Sequence, residues 1–139
     1  LGFVVENKNK MARIERFEDL EIWQRAREIC RYVEKLFNET KLGKNFGLRN
    51  QMETSSGSIM DNIAEGFERD GNREFHNFLS FSKGSSAELK SQTYRAFDKL
   101  LISTEQFETL KEMCEIEKNK IGSLMSYLRK SDFKGIKFK

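Results

Sequence analysis

The apolar positions of the chain fall into four stretches with helical spacing. From Phe17 onward, Ile22, Ala26, Ile29, Val33 and Leu36 recur at intervals of 4, 3, 4 and 3, with Trp23, Cys30 and Phe37 beside them at sevenfold spacing. Two adjacent stripes predict a helix with a wide buried face. Glu18, Asp19 and Glu21 fall in its first turn, where carboxylates complement the helix dipole. Its end is expected near Thr40, before Gly43.

Asn45 is the expected N-cap of a second helix, with Leu48, Met52, Ser55, Ile59, Ile63 and Phe67 on one face and Gly66 as its stop. The turn ERDGN follows, and Gly71 or Asn72 caps a third helix reaching about Ile102. Its predicted stripe is Phe75, Phe78, Ser82, Ser85, Leu89, Gln92, Ala96 and Leu100. The small residues Gly84, Ser85, Ser86 and Ala87 in its middle are expected to face Ser55, Ser56 and Gly57. Ser103 and Gln106 form the S-x-x-Q of a capping box at the head of a fourth helix. There Phe107, Leu110, Cys114, Glu117, Ile121, Leu124 and Leu128 make a heptad seam containing one carboxylate. Glu117 is then at an edge of the seam, paired, or at an oligomer interface. Four helices with short connections predict an all-α, antiparallel up-down-up-down four-helix bundle with a left-handed twist.

Composition agrees with helices. The 139 residues suit one domain, contain no proline, and are 34% charged. Residues 1–10 lack periodicity and are expected to be a disordered leader or a cloning remnant, with the bundle over 11–130 and a basic, aromatic-containing tail over 131–139. The positive charge gathers at and just before that tail: residues 129–139 hold five bases against one acid, whereas 11–128 carry a net −2. No run of residues is apolar enough to cross a membrane, so a cytoplasmic location without membrane partners is expected. Cys30 and Cys114 form no CxxC pair and read as reduced core thiols. His76 is the sole histidine, which leaves a zinc site or a histidine-based triad without its ligands or base.

The segments FEDLEIWQRA (17–26), FGLRNQM (46–52), SIMDNIAEGF (58–67) and REFHNFLSFSKGSSAELKSQ (73–92) resemble the four-helix-bundle proteins encoded within intervening sequences of bacterial 23S rRNA genes. The resemblance covers about 17–128. The matching positions are Gln51, Ser58, Asn62, Ile63, Ala64, Glu65, Gly66, Glu74, Phe75, Phe78, Leu79, Gly84, Ser85, Glu88 and Leu89. It implies an antiparallel bundle assembled into a homopentameric ring, without established enzymatic activity. A related branch, the accessory proteins of diversity-generating retroelements, implies association with a reverse transcriptase and nucleic acid. Glu53 and Thr54 stand where the family often has two arginines, which weakens the transfer of nucleic-acid binding to the bundle body. Met60 replaces a common proline, and the proline usual after the first helix is missing.

Several motifs invite chemistry. SSGSIMDNIAEGF, at 55–67, gathers serines and glycines, but it lies inside a predicted helix whose backbone donors are already used, so a phosphate loop is disfavoured there. Ser80 and Lys83 spell S-x-x-K without the partner motifs of an acyl enzyme. No catalytic, cofactor-binding or metal-binding residues are therefore assigned. Gln51, Asn62, Glu65 and Glu117 are expected to be structural or interface polar groups, Asn62 and Glu65 being spaced to act together. The candidates for nucleic-acid contact are Arg25, Arg27 and Arg31 on the first helix, and Arg129, Lys130, Lys134, Lys137 and Lys139 near the end. Glu21, Glu28 and Glu34 interleave with the first group, so a salt-bridged solvent face is the ordinary reading of it. The tail alternates lysines with Phe133, Ile136 and Phe138, a pattern suited to phosphate contact and base stacking. The expected function is a non-enzymatic homo-oligomer, a pentamer by resemblance, that binds RNA, DNA or a nucleic-acid-handling protein such as a reverse transcriptase. The alternative is a protein–protein adapter or structural scaffold with no nucleic-acid role.

Overall fold

The computed structural model describes residues 3–7 and 10–133, with side chains over 13–131. Four helices follow a short ribbon: α1 (Glu21–Glu39), α2 (Phe46–Phe67), α3 (Asn72–Asp98) and α4 (Thr104–Phe133). Each packs against two neighbours, α1 on α2, α2 on α3, α3 on α4 and α4 back on α1, which closes an all-α bundle. Contacts between early residues of one helix and late residues of the next, such as Gln51 to Arg95 and His76 to Arg129, make successive helices antiparallel.

The amino-terminal segment corrects an expectation. Strand β1 (Phe3–Asn7) pairs antiparallel with β2 (Lys10–Ile14), Phe3 opposite Ile14 and Val5 opposite Ala12, where a disordered leader or a cloning remnant was expected over 1–10. Five-residue strands without strict alternation give a periodicity search too little to register. The bundle boundary expected at residue 11 falls within β2, and Ile14, 6% exposed, anchors the ribbon to the core.

Helix α1 begins four residues later than its acidic run predicts. Phe17–Asp19 form a 3-10 turn, and the extended, buried Leu20 separates that turn from the helix. Glu18 and Asp19 therefore miss the first turn of α1, which keeps only Glu21. The predicted core stripe Ile22, Ala26, Ile29, Val33 and Leu36 is buried throughout.

Three predicted caps are present. Asn45 Oδ1 accepts from the Leu48 N–H at 3.2 Å, and Gly71, with φ of 97°, precedes α3. At α4 the capping box is reciprocal: Ser103 N–H donates to Gln106 Oε1 at 2.8 Å, and Gln106 N–H donates to Ser103 Oγ at 3.1 Å. Gly66 is different, because α2 runs past it to Phe67. Its missing Cβ serves packing, not termination: a Cβ there would meet the Cβ of Phe78 at 2.6 Å.

On α3 the buried line is Phe75, Leu79, Ser82, Ser86, Leu89, Gln92, Thr93 and Ala96. Leu79 and Ser86 replace the expected Phe78 and Ser85, a one-residue rotation of part of the stripe. Phe78 instead lies half-buried beneath the Arg69 guanidinium, 4.9 Å from its ring centroid. The small residues also divide their partners: Ser82 Oγ donates to Ile59 O on α2 at 2.7 Å, and Ser86 Oγ donates to Cys114 O on α4 at 2.8 Å. The Ser56 carbonyl accepts from Cys30 Sγ on α1 at 3.3 Å, while Gly57 and Gly84 each have no atom within 4 Å of a Cβ position. The expected patch-against-patch contact is thus distributed over three helix pairs.

Helix α3 ends at Asp98 and not near Ile102, because Leu100 adopts a left-handed conformation, φ 61°. Leu101 N–H reaches Ala96 O at 3.0 Å and Leu100 N–H reaches Phe97 O at 2.9 Å, the two bonds of a Schellman motif. Leu100 is then 81% exposed.

Cys30 and Cys114 are free thiols, and burial pushes the Cys114 thiol up to about 12. No helix among the described residues is long and apolar enough to cross a membrane.

Candidate functional site

The predicted basic stripe on α1 is largely occupied within its own helix. Arg25 Nε lies 3.1 Å from Glu21 Oε2, and Arg31 Nη1 lies 3.2 Å from Glu28 Oε1. Arg27 places its guanidinium 5.9 Å from the Trp23 ring centroid. Exposed pairs of this kind contribute little to stability, yet they neutralise the charge a phosphate would need.

A different basic group forms where α2 turns into α3 beneath the last turns of α4. Gly71 supplies the positive φ that starts α3 but has no side chain, so no side chain caps the helix. The first backbone hydrogen bond of the helix is Phe75 N–H to Gly71 O at 3.3 Å, leaving the N–H groups of residues 72–74 ahead of it. Asn72, 6% exposed, has neither its Oδ1 nor its Nδ2 hydrogen-bonded among the described residues. With Arg73, His76, Leu128 and Arg129 it lines a cavity of about 160 Å³.

His76 and Arg129 are coupled across this cavity, Arg129 Nη1 lying 3.0 Å from His76 Nε2. A guanidinium only donates, so Nε2 accepts and the neutral ring carries its proton on Nδ1. Burial and then the Arg129 charge hold the imidazole below its ordinary range, in keeping with that neutral form. Arg73, Arg129 and Lys130 have no carboxylate partner among the described residues. Of the predicted basic candidates, the structure thus brings Arg129 into a cluster with Asn72, Arg73 and His76, which the sequence reading missed. The available signal was Gly71, a helix cap that leaves donors free.

Lys130 is exposed on α4, and Lys134, Lys137 and Lys139 lie outside the described residues. Gln51 does cross between helices, its Oε1 accepting from Arg95 Nη1 at 2.8 Å. Asn62 and Glu65 do not act together: Asn62 Nδ2 donates to Ser58 O, and Glu65 Oε2 pairs with Arg69 at 2.8 Å, both within the α2 segment and its cap. Ser80 Oγ donates to Asn77 O, an ordinary helical bond.

Glu117 is neither at an edge nor paired. It is 0% exposed, and neither carboxyl oxygen has a hydrogen-bond partner among the described residues. Burial pushes its pKa up to about 8, with Arg25 and Lys120 opposing and Glu21 reinforcing the shift. At neutral pH it is therefore chiefly a protonated acid within the core. Its enclosure within one chain removes it from the candidate oligomer surface. Among the described residues no group of three or more His, Cys, Asp or Glu side chains is arranged to hold a metal ion.

The fold and this site define a small helical-bundle protein with a basic cluster at one end. Residues 18–123 match the model of the 23S rRNA-intervening sequence protein family, and the chain belongs to that family. Among solved structures it is similar to a protein of unknown function from the S23 ribosomal protein family of Bacteroides thetaiotaomicron. The two share 20% identity and a TM-score of 0.69, over 75% of this chain and 97% of that one, a likeness of fold. No curated protein matches the chain in sequence.

Proposed function

We propose that this protein is a non-enzymatic homo-oligomer, a pentamer, that binds nucleic acid through the basic end of its bundle. The observation that carries the reading is the basic cluster of Arg73 and Arg129, neither with a carboxylate partner among the described residues, joined by His76 at the start of α3 and followed on α4 by the exposed Lys130. Cations without a carboxylate partner release counterions when they meet phosphates, and a ring multiplies such contacts by its subunit number. The carboxylate partners of Arg25 and Arg31 shift the weight away from α1. A fluorescence-anisotropy titration with RNA and with duplex DNA tests the binding. Affinity that falls as salt rises supports it, and absence of binding at low salt overturns it. Light scattering tests the assembly: the pentamer has a mass on the order of 80 kDa, against 16.3 kDa for one chain.

A second reading, an adapter that docks a protein such as a nucleic-acid-handling enzyme, is favoured by exposed apolar side chains. Phe46 is 65% exposed, Phe81 52% and Leu100 81%. Recovery of a protein partner that survives nuclease treatment, together with no direct RNA or DNA binding, selects this reading.

A further inference from the structure

Among the described residues three buried side chains keep polar atoms without a hydrogen-bond partner, Asn72, Gln92 and Glu117, and of these Asn72 lines the cavity beside Arg73 and Arg129. A buried primary amide carries two donors and an acceptor, and leaving them unmade costs about 1–3 kcal/mol. Ser82, Ser86 and Thr93, equally buried on the same helix, all have backbone carbonyl partners. Asn72 has none among the described residues, yet it lines a cavity also bordered by two guanidinium groups and an imidazole.

Position adds a second reason. Asn72 is the first residue of a 27-residue helix with no side-chain cap, so the free N–H groups and the positive end of the dipole lie beside the cavity. The arrangement is rich in donors and poor in acceptors. Asp70 and Glu74 flank it in sequence, but both are exposed and water screens their opposition.

We propose that the cavity between the start of α3 and the last turns of α4 binds a phosphate group. The neutral donors are Asn72 Nδ2 and the leading N–H groups of α3, and the cations are Arg73 and Arg129. A volume of about 160 Å³ accommodates one phosphate with water. The imidazole of His76 orients Arg129 through the 3.0 Å contact and offers Nδ1–H as a further donor. The chemistry is that of a phosphate, whether free or within a polynucleotide backbone. Only the backbone source rests on the nucleic-acid reading above.

His76, the sole histidine, gives a unique proton NMR signal for the test. Inorganic phosphate is titrated into the full chain at constant ionic strength, with chloride as the balancing anion. A saturable shift of the His76 ring signal and a rise of its pKa with phosphate are expected. Asn72→Asp, which keeps the side-chain shape and repels the ligand, and Arg129→Gln are each expected to weaken phosphate binding by about tenfold or more. Arg31→Gln leaves it unchanged, and thermal melting establishes that each variant is folded. No saturable shift beyond that of chloride, or unchanged binding by folded Asn72→Asp, overturns the proposal. Parallel anisotropy titrations with RNA, in the presence and absence of inorganic phosphate at constant ionic strength, separate the sources. A His76 response to phosphate without RNA binding supports the site and removes the nucleic-acid reading. Salt-dependent RNA binding that Asn72→Asp and Arg129→Gln leave intact keeps that reading and overturns the site.

Discussion

Gly66 and Phe78 are in such close contact that a Cβ on Gly66 would fall 2.6 Å from the Cβ of Phe78 and 3.1 Å from Cδ1 of Phe75. The neighbour is the root of a side chain fixed to α3, so it cannot swing aside. Gly66→Ala is expected to separate α2 from α3 locally and destabilise the protein by about 1–3 kcal/mol. Gly57→Ala, also within α2 but with no atom within 4 Å of its Cβ position, is expected to stabilise by about 0.5–1 kcal/mol. Thermal melts of the two variants should move in opposite directions.

Glu117 makes stability depend on pH. Its folded pKa of about 8 lies above the ordinary carboxylate range, so the folded state holds a proton that the unfolded state releases. Stability is therefore highest in mild acid and declines as pH rises from about 4.5 through about 8. Glu117→Gln, which has no charge to bury, is expected to flatten that decline. Near pH 9 it should be more stable than the parent by an amount on the order of a few kcal/mol, with a far smaller difference near pH 5. Urea denaturation at the two pH values measures the contrast.

Ser82 ties α3 to the α2 backbone through the Ile59 carbonyl. Ser82→Ala removes that bond without adding volume and is expected to cost about 1 kcal/mol in urea denaturation, with an unchanged m value.

Leu100 carries a backbone conformation that glycine adopts without strain. Because its side chain is 81% exposed, Leu100→Gly gives up little packing and is expected to stabilise by about 1 kcal/mol. A rise in melting temperature checks this.

The parts of the fold that were legible in the sequence are those written in local chemistry. Asn45, Gly71 and the Ser103–Gln106 box announce helix starts through their own capping groups, and the α4 seam is readable because one strict heptad covers it. The parts that were not legible depend on tertiary packing. Phe78 looks more like core than Leu79 by size, but the approach of α2 at Gly66 turns Leu79 inward and leaves Phe78 under Arg69. Leu100 carries no compositional sign of a left-handed turn, so the stop of α3 was hidden. The basic cluster was half legible: Arg129 was named, whereas Asn72, Arg73 and His76 acquire meaning only when α4 returns antiparallel along α3.

The central claim is that the cations at this end of the bundle, which have no carboxylate partner among the described residues, contact nucleic-acid phosphates. Its most direct test is the salt dependence of RNA affinity, measured by anisotropy for the parent and for a folded variant combining Arg73→Gln, Arg129→Gln and Lys130→Gln. The account predicts that affinity falls with salt for the parent and that the variant loses about 2 units of the logarithmic slope for each engaged chain, three cations at roughly 0.7 each. An identical slope and affinity in the variant, or no RNA binding by the parent at low salt, would contradict it.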